Sequence, residues 1–234
     1  MAEIAAVIFD MYETLVRNST ALWIKTFDEI CEVQRIPLSG QALWDRWKPI
    51  ELKFRQDRQD SSYRFKSYRQ AWEDCFEHVF WDFASGDPVD AAQRSVRDQG
   101  RRELYPESAG VITKLRQASR FRLGLLSNAD IDALGPLVTL HGLEFDAVVC
   151  SEGAQAYKPD AEAFKQVAKT LNVREEECLY VGDTQLDDVQ GARDAGMKTV
   201  WVNRRRARRN PALSAPDHEV QDLNGVLDVL GVSL

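Results

Sequence analysis

Five short runs of consecutive apolar residues punctuate the chain, at positions 5–9, 123–126, 147–150, 178–181 and 199–202. A strand with one wet face alternates apolar and polar residues; these runs do not. They read as strands covered on both faces, the habit of parallel sheets. Between them lie segments of helical period, at about 109–116, 131–141, 161–171 and 186–195. The alternation of strand and helix predicts an α/β fold, a doubly wound parallel sheet with helices on its faces. Several runs end directly in polar residues: Asp10, Ser127-Asn128, Ser151-Glu152 and Gly182-Asp183. Open α/β sheets bind ligands beyond the carboxyl ends of their strands, so chemistry is expected at those positions.

The stretch 16–104 breaks the alternation. It has helical period, start signals at Ser19 and Ser61, and breaks at Pro37, Pro49 and Gly86-Asp87-Pro88. It also holds 13 of the 22 aromatic residues, among them Trp23, Trp44, Trp47, Trp72 and Trp81, which is enough for a core of its own. The expected organisation is a core of residues 1–15 and 105–234 with a helical insert at 16–104. As a group, the rings of the insert also offer a surface for an apolar pocket or an oligomer interface.

Charge narrows the partners. Asp and Glu number 37 against 30 Lys and Arg, a formal net charge of −7, which argues against nucleic acid or an anionic membrane as main partner. No apolar stretch approaches the length of a membrane span, and a core-like run begins by Ala5, leaving no room for a signal peptide. A cytoplasmic protein acting on a small molecule is expected. Cys31, Cys75, Cys150 and Cys178 are far apart and sit in or beside apolar segments, which suits buried reduced thiols. Arg204-Arg205-Arg206-Ala207-Arg208-Arg209, ahead of Asn210-Pro211, reads as a solvated loop, with contact to an anionic substrate or partner the next reading. His78, His141 and His218 lie outside every motif.

Four sites carry candidate chemistry, in a telling order. The first strand leads into Asp10-Met11-Tyr12-Glu13-Thr14. The second is Leu125-Leu126-Ser127-Asn128, and the third is Tyr157-Lys158-Pro159-Asp160, a lysine just before a helix start. The last is Val181-Gly182-Asp183-Thr184-Gln185-Leu186-Asp187-Asp188, followed by Gly191-Ala192. A carboxylate that attacks phosphorus or carbon forms a covalent ester and splits one hard step into two. Asp10, at a strand tip, suits that role. Thr14 and Ser127 can each donate a hydrogen bond to an oxyanion, and Lys158 supplies a compact positive charge. Asp183 and Asp188 suit Mg²⁺, which takes a few carboxylates plus waters and substrate oxygens.

In order and placement these sites resemble the four motifs of the haloacid dehalogenase superfamily, and the insert falls where that superfamily carries a helical cap. The resemblance spans the whole chain. It implies a Rossmann-like core with an inserted helical cap, and a hydrolase with Asp10 as nucleophile. The implied catalytic set is Asp10, Tyr12, Thr14, Ser127, Asn128 and Lys158. The implied Mg²⁺ ligands are the Asp10 carboxylate, the Tyr12 backbone carbonyl and Asp183, with Asp188 close by and Asp187 a solvent-facing neighbour.

The chain mixes two branches of that superfamily. Its magnesium phosphatases usually carry a second aspartate two residues after the nucleophile, where this chain has Tyr12. A tyrosine there resembles the 2-haloacid dehalogenases. Those typically have Ser-Asn in place of Gly182-Asp183 and a cap arginine, for which Arg35 and Arg46 are loose candidates. Charge counting favours the phosphatase. Three carboxylates surround one lysine, and like charges ~4 Å apart cost roughly 4 kcal/mol at an effective dielectric of about 20. A phosphate dianion could join them only with a metal present. The expected function is Mg²⁺-dependent hydrolysis of a small phosphate ester. The alternatives are metal-independent dehalogenation of a short 2-haloacid, and a catalytically weak binding protein.

Overall fold

The computed structural model describes residues 3–60, 62–83 and 85–232. Ser61, one of the two expected helix starts, lies outside the described residues. In chain order, strand β1 (Ala6–Phe9) precedes four helices, α1 (Thr20–Gln34), α2 (Gly40–Asp57), α3 (Tyr68–Phe80) and α4 (Pro88–Gln99). Then come α5 (Ser108–Ala118), β2 (Arg122–Ser127), α6 (Ile131–Leu140), β3 (Ala147–Cys150), α7 (Ser151–Ala154) and α8 (Ala161–Leu171). The chain closes with β4 (Cys178–Gly182), α9 (Gly191–Asp194), β5 (Lys198–Val202), β6 (His218–Val220) and α10 (Asn224–Leu230). Contacts divide it into two compact units, one of Met1–Arg17, Glu103–Asn128 and Val138–Leu234, the other of Asn18–Arg102 and Ala129–Leu137.

The first unit holds a six-stranded sheet of order β3-β2-β1-β4-β5-β6, every neighbouring pair parallel. This is the expected doubly wound α/β sheet, and each of the five apolar runs is one of its strands. The sixth strand has no apolar run: β6 is three residues long and lies at the sheet edge, with His218 and Glu219 exposed. Strand order reverses around β1, which pairs with β2 on one side and β4 on the other. The crevice at such a reversal is where ligands of doubly wound sheets bind.

Helix α8 shows how sequence becomes packing in this unit. Ala163, Phe164, Val167, Ala168 and Leu171 recur at helical spacing, are all buried, and share a core with Ile8, Leu126 and Tyr180. Burying a side chain the size of Phe164 contributes about 1.5–3 kcal/mol. The helix starts at Asp160, whose carboxylate accepts from the Glu162 amide, and ends at Asn172 in the left-handed region. Residues 186–195, expected as one regular helix, are instead a π-helical turn, Gln185–Gln190, running into α9.

The second unit is helical, and most of its aromatic residues form its core; Trp81, expected among them, is instead 85% exposed. Trp23 stacks on Trp47 with ring centroids 5.4 Å apart and meets Trp72 edge-on at 5.2 Å. Phe27 and Phe76 extend the cluster. Gly40 is required where α2 begins, because a Cβ there would overlap the Ile24 carbonyl. Pro49, expected as a break, lies inside α2. The helix tolerates it because Pro49 and Asp45, whose carbonyl loses its donor, are both exposed to water. Helix α3 starts at Ser67 with a capping box, and the Asp130 carboxylate accepts from the Tyr68 and Arg69 amides, each at 2.7 Å. Among the described residues no helix is long and apolar enough to cross a membrane.

Candidate active site

Asp10 stands just past β1, at the strand reversal, with its amide bonded to the Val181 carbonyl at 2.9 Å. The residue is nearly buried, at 5% exposure. Oδ1 accepts from the Ser127 hydroxyl at 3.1 Å and from Lys158 Nζ at 2.7 Å. Burial raises the Asp10 pKa; Lys158 opposes the shift and Asp188 adds to it, and the group ends at about 6.

Lys158 is the buried cation of the site. Its three N–H donors are all spent: on Asp10 Oδ1, on Asp188 Oδ1 at 2.6 Å and on the Tyr180 hydroxyl at 2.8 Å. Burial works against its charge, but Asp10 and Asp188 outweigh burial and hold its pKa well above the ordinary lysine value. The Asn128 side chain grips the Lys158 backbone from both ends, accepting from its amide at 2.8 Å and donating to its carbonyl at 3.0 Å.

Asp188 is saturated. Oδ1 accepts from Lys158 and lies 3.3 Å from the Tyr180 hydroxyl oxygen, while Oδ2 accepts the Thr184 amide and hydroxyl, both at 2.8 Å. The π-helical turn brings the carboxyl group back against the end of β4. It fits only because residue 182 is glycine, since a Cβ there would overlap the Asp188 carboxyl group.

Asp183 differs from the other two acids. One oxygen from each of Asp10, Asp183 and Asp188 can be chosen so that all three lie within 4.8 Å of one another. Yet the Asp183 carboxylate makes no hydrogen bond or ion pair among the described residues; only its backbone carbonyl is engaged, by Trp201 Nε1 at 2.8 Å. Burial, then the neighbouring Asp188 and Asp10, push its pKa well above the usual carboxylate range. A carboxylate held beside two others without a cation of its own is a fitting place for a divalent ion.

The other expected residues have these surroundings. Thr14 is fully buried, and among the described residues its hydroxyl has no hydrogen-bond partner. Tyr12 is half-buried on the same turn. Asp187 is half-buried, 3.4 Å from the Asn128 amide nitrogen. Arg35 and Arg46 are both exposed, and Arg46 lies over the Phe83 ring. The stretch 204–209 is a loop, as expected, but its first arginine is not solvated. Arg204 turns onto the Thr14 carbonyl and Glu107.

This geometry can be set beside known proteins. The family model for haloacid dehalogenase-like hydrolases matches residues 4–196. The chain belongs to the haloacid dehalogenase-like hydrolase family. Within it, the chain is 31% identical over 191 residues to a phosphoserine phosphatase of Thermus thermophilus, covering 80% of this chain and 72% of that one. It is 25% identical over 234 residues to haloacetate dehalogenase H-2 of Moraxella sp., covering 99% and 100%. The fold of this hydrolase is shared with YfnB of Bacillus subtilis, solved bound to magnesium. The TM-score is 0.81 at 20% identity, over 98% of this chain and 100% of that one.

Sequence reasoning missed Tyr180, whose hydroxyl accepts from Lys158, donates to the Leu126 carbonyl at 2.9 Å and lies 3.3 Å from Asp188. The signal was present, because a tyrosine within a strand buried on both faces needs a partner for its hydroxyl. It also missed Thr184, whose two donors fix Asp188, and Trp201, whose indole holds the Asp183 backbone.

Proposed function

We propose that this hydrolase is a Mg²⁺-dependent phosphatase of a small phosphorylated compound. One observation carries the reading: the Asp183 carboxylate beside Asp10, without a hydrogen-bond or ion-pair partner among the described residues, in a site whose lysine is already fully bonded. Asp10 and Asp183, with the Tyr12 backbone carbonyl, would hold the ion. Asp188, whose oxygens are occupied, would orient Lys158 and Thr184 from behind. Bound there, Mg²⁺ would offset the repulsion between carboxylates and phosphate and stabilise the transferring phosphoryl group.

The chain's own groups do the rest. An Asp10 oxygen attacks phosphorus as the bond from phosphorus to the ester oxygen breaks, giving an aspartyl phosphate and an alcohol that takes up a proton. Water then attacks the aspartyl phosphate, releasing inorganic phosphate and restoring the carboxylate. Lys158 holds Asp10 ionised and aimed, and Asn128 holds Lys158 in turn. The Thr14 hydroxyl, buried without a partner among the described residues, can donate to the oxygens around phosphorus. Tyr12 stands where phosphatases of the superfamily usually have an aspartate. A phenol with a pKa near 10 is a poor base at neutral pH, so turnover of generic esters is slow.

A second reading has its own support. Tyr12 and the end-to-end similarity to a haloacetate dehalogenase favour attack by Asp10 at the carbon that bears a halogen. Halide would leave, and water would hydrolyse the ester to a 2-hydroxy acid. Turnover of p-nitrophenyl phosphate and of 2-chloropropionate, each with Mg²⁺ and with chelator, separates the two. The phosphatase reading expects Mg²⁺-dependent phosphate release that Asp10→Asn abolishes. Chelator-insensitive halide release without phosphate release would overturn it.

A further inference from the structure

The arginine-rich loop has no place in the reaction as described, yet it is built against the turn that carries Asp10. Arg204 donates through Nη2 to the Thr14 carbonyl at 2.8 Å, pairs through Nη1 with Glu107 at 2.7 Å, and lies with its guanidinium carbon 3.6 Å from the Tyr105 ring centroid. Arg205 adds a pair with Glu13 at 2.6 Å. The loop is held in place by Asn203, whose side chain bonds both the amide and the carbonyl of Ala207, and by Gln185, which bonds the Arg208 carbonyl and the Asn210 amide.

The turn needs such support. Glu13 has a φ of 62°, a left-handed conformation that costs a non-glycine residue of order 1 kcal/mol. The Leu15 and Val16 amides both bond the Met11 carbonyl, and the Leu15 carbonyl is taken by the Tyr105 amide and the Ser108 hydroxyl. The Thr14 carbonyl has Arg204 as its partner. A planar guanidinium that pairs, donates and stacks at once fixes direction as well as charge, which an ammonium cannot do.

We propose that Arg204 is a positioning residue: through the Thr14 carbonyl it holds the Asp10–Val16 turn so that the Thr14 hydroxyl stays in register with the Asp10 carboxylate. The proposal rests on the reading of Asp10 and Thr14 as reacting groups. Misplacement by about 1 Å can cost ~100-fold in rate, so a loosened turn should appear in kcat and not in substrate binding.

The test uses Arg204→Lys, which keeps the Glu107 pair but cannot also stack on Tyr105 and reach Thr14. It is made in the native chain and in Thr14→Val. With p-nitrophenyl phosphate and Mg²⁺, and with 2-chloropropionate, Arg204→Lys is expected to lower kcat by about 10-fold or more, with KM within about 2-fold. In the Thr14→Val background the same change should cost less than about 2-fold, because the group it positions is already gone. Hydrogen exchange at the Leu15 and Val16 amides should quicken while β4 keeps its protection. An unchanged kcat, an equal loss in both backgrounds, or unchanged protection at Leu15 and Val16 would overturn the proposal. If Asp10→Asn kept full turnover, the reading of the site would fail instead, and exchange at Leu15 and Val16 would decide the role of Arg204.

Discussion

Asp183→Asn should make the metal-free protein more stable and the magnesium-loaded protein less so. Without a cation, Asp183 repels two carboxylates whose oxygens lie within 4.8 Å. Each such repulsion is about 3 kcal/mol at an effective dielectric near 20, less where water screens the half-buried Asp183. The sign with pH follows from the raised pKa. The folded protein keeps a proton on Asp183 that the unfolded chain gives up near pH ~4, so metal-free stability falls as pH rises from there through the raised folded-state value. An asparagine does not titrate. The variant's advantage in chelator should therefore grow with pH, reaching about 1–3 kcal/mol at pH 8, or roughly 2–12 °C in Tm for a chain of this length. Saturating Mg²⁺ should reverse the order, since an ion at ~100 times its Kd adds about 2.7 kcal/mol to the protein that binds it. Scanning calorimetry of both proteins from pH 5 to 9, in chelator and in Mg²⁺, reads all of this. The reasoning is refuted if the variant is never more stable than the native protein in chelator, or if Mg²⁺ raises both melting temperatures equally.

Three further outcomes are expected. Tyr12→Asp should raise kcat on p-nitrophenyl phosphate by about 10-fold or more while Mg²⁺ affinity by calorimetric titration holds, because acid–base help is typically worth ~10²–10⁴; an unchanged or lower kcat counts against the phosphatase reading. Gly182→Ala should displace the Asp188 carboxyl group it would overlap, costing about 1–3 kcal/mol in urea unfolding and most of the turnover; an alanine variant with native stability would be inconsistent with that packing. Glu51→Gln tests the helical unit. Burial disfavours the Glu51 charge, but Arg55 and Lys48 hold its pKa below the ordinary value, so its contribution is present at neutral pH and lost in acid. The variant should lose about 1–2 kcal/mol at pH 7, with the gap closing below about pH 4, as read by denaturant titration at each pH.

What the sequence made legible followed from strong, local signals. Continuous apolar runs marked five strands because strands covered by helices carry few polar residues, and this held even for the edge strand β3, where Val148 is exposed. β6 escaped because an exposed edge strand of three residues, His218–Val220, needs no apolar residues to pair with β5. The π-helical turn escaped because residues 186–195 carry an ordinary helical period. Within that turn Asp188 is tied both to Thr184, four residues back, and to Lys158, 30 residues away, and the second of these contacts is tertiary. Pro49 misled because the rule against internal proline assumes that the freed carbonyl is buried. In the site, the motifs placed the acids and the lysine at strand ends and before helices. They could not show how the hydrogen bonds are shared. Asn128 on the Lys158 backbone, Tyr180 between two charges and Arg204 on the Thr14 carbonyl depend on which loops meet, and no spacing in the chain encodes that.

The distribution of bonds around Lys158 bears on the chemistry more than the identity of any one motif residue. With its three donors on Asp10, Asp188 and Tyr180, the lysine has none left for an arriving anion. A phosphate dianion and a haloacid carboxylate therefore face the same obstacle, the Asp183 charge, and differ in how it can be removed. A haloacid brings one negative charge, so a proton on Asp183 is enough, and the high pKa of that group makes the proton available at low pH. A phosphate dianion brings two, and a proton does not offset both. The ion that would satisfy the dianion would also keep Asp183 ionised, and so keep the site working at neutral and higher pH. Tyr12 and Asp183 thus point to different reactions because they answer different needs. In the proposed reaction Tyr12 would limit proton transfer to the leaving oxygen, whereas Asp183 would govern whether an anionic substrate can approach Asp10 at all. Approach comes first, and on that ground the cation-demanding reading has the stronger claim.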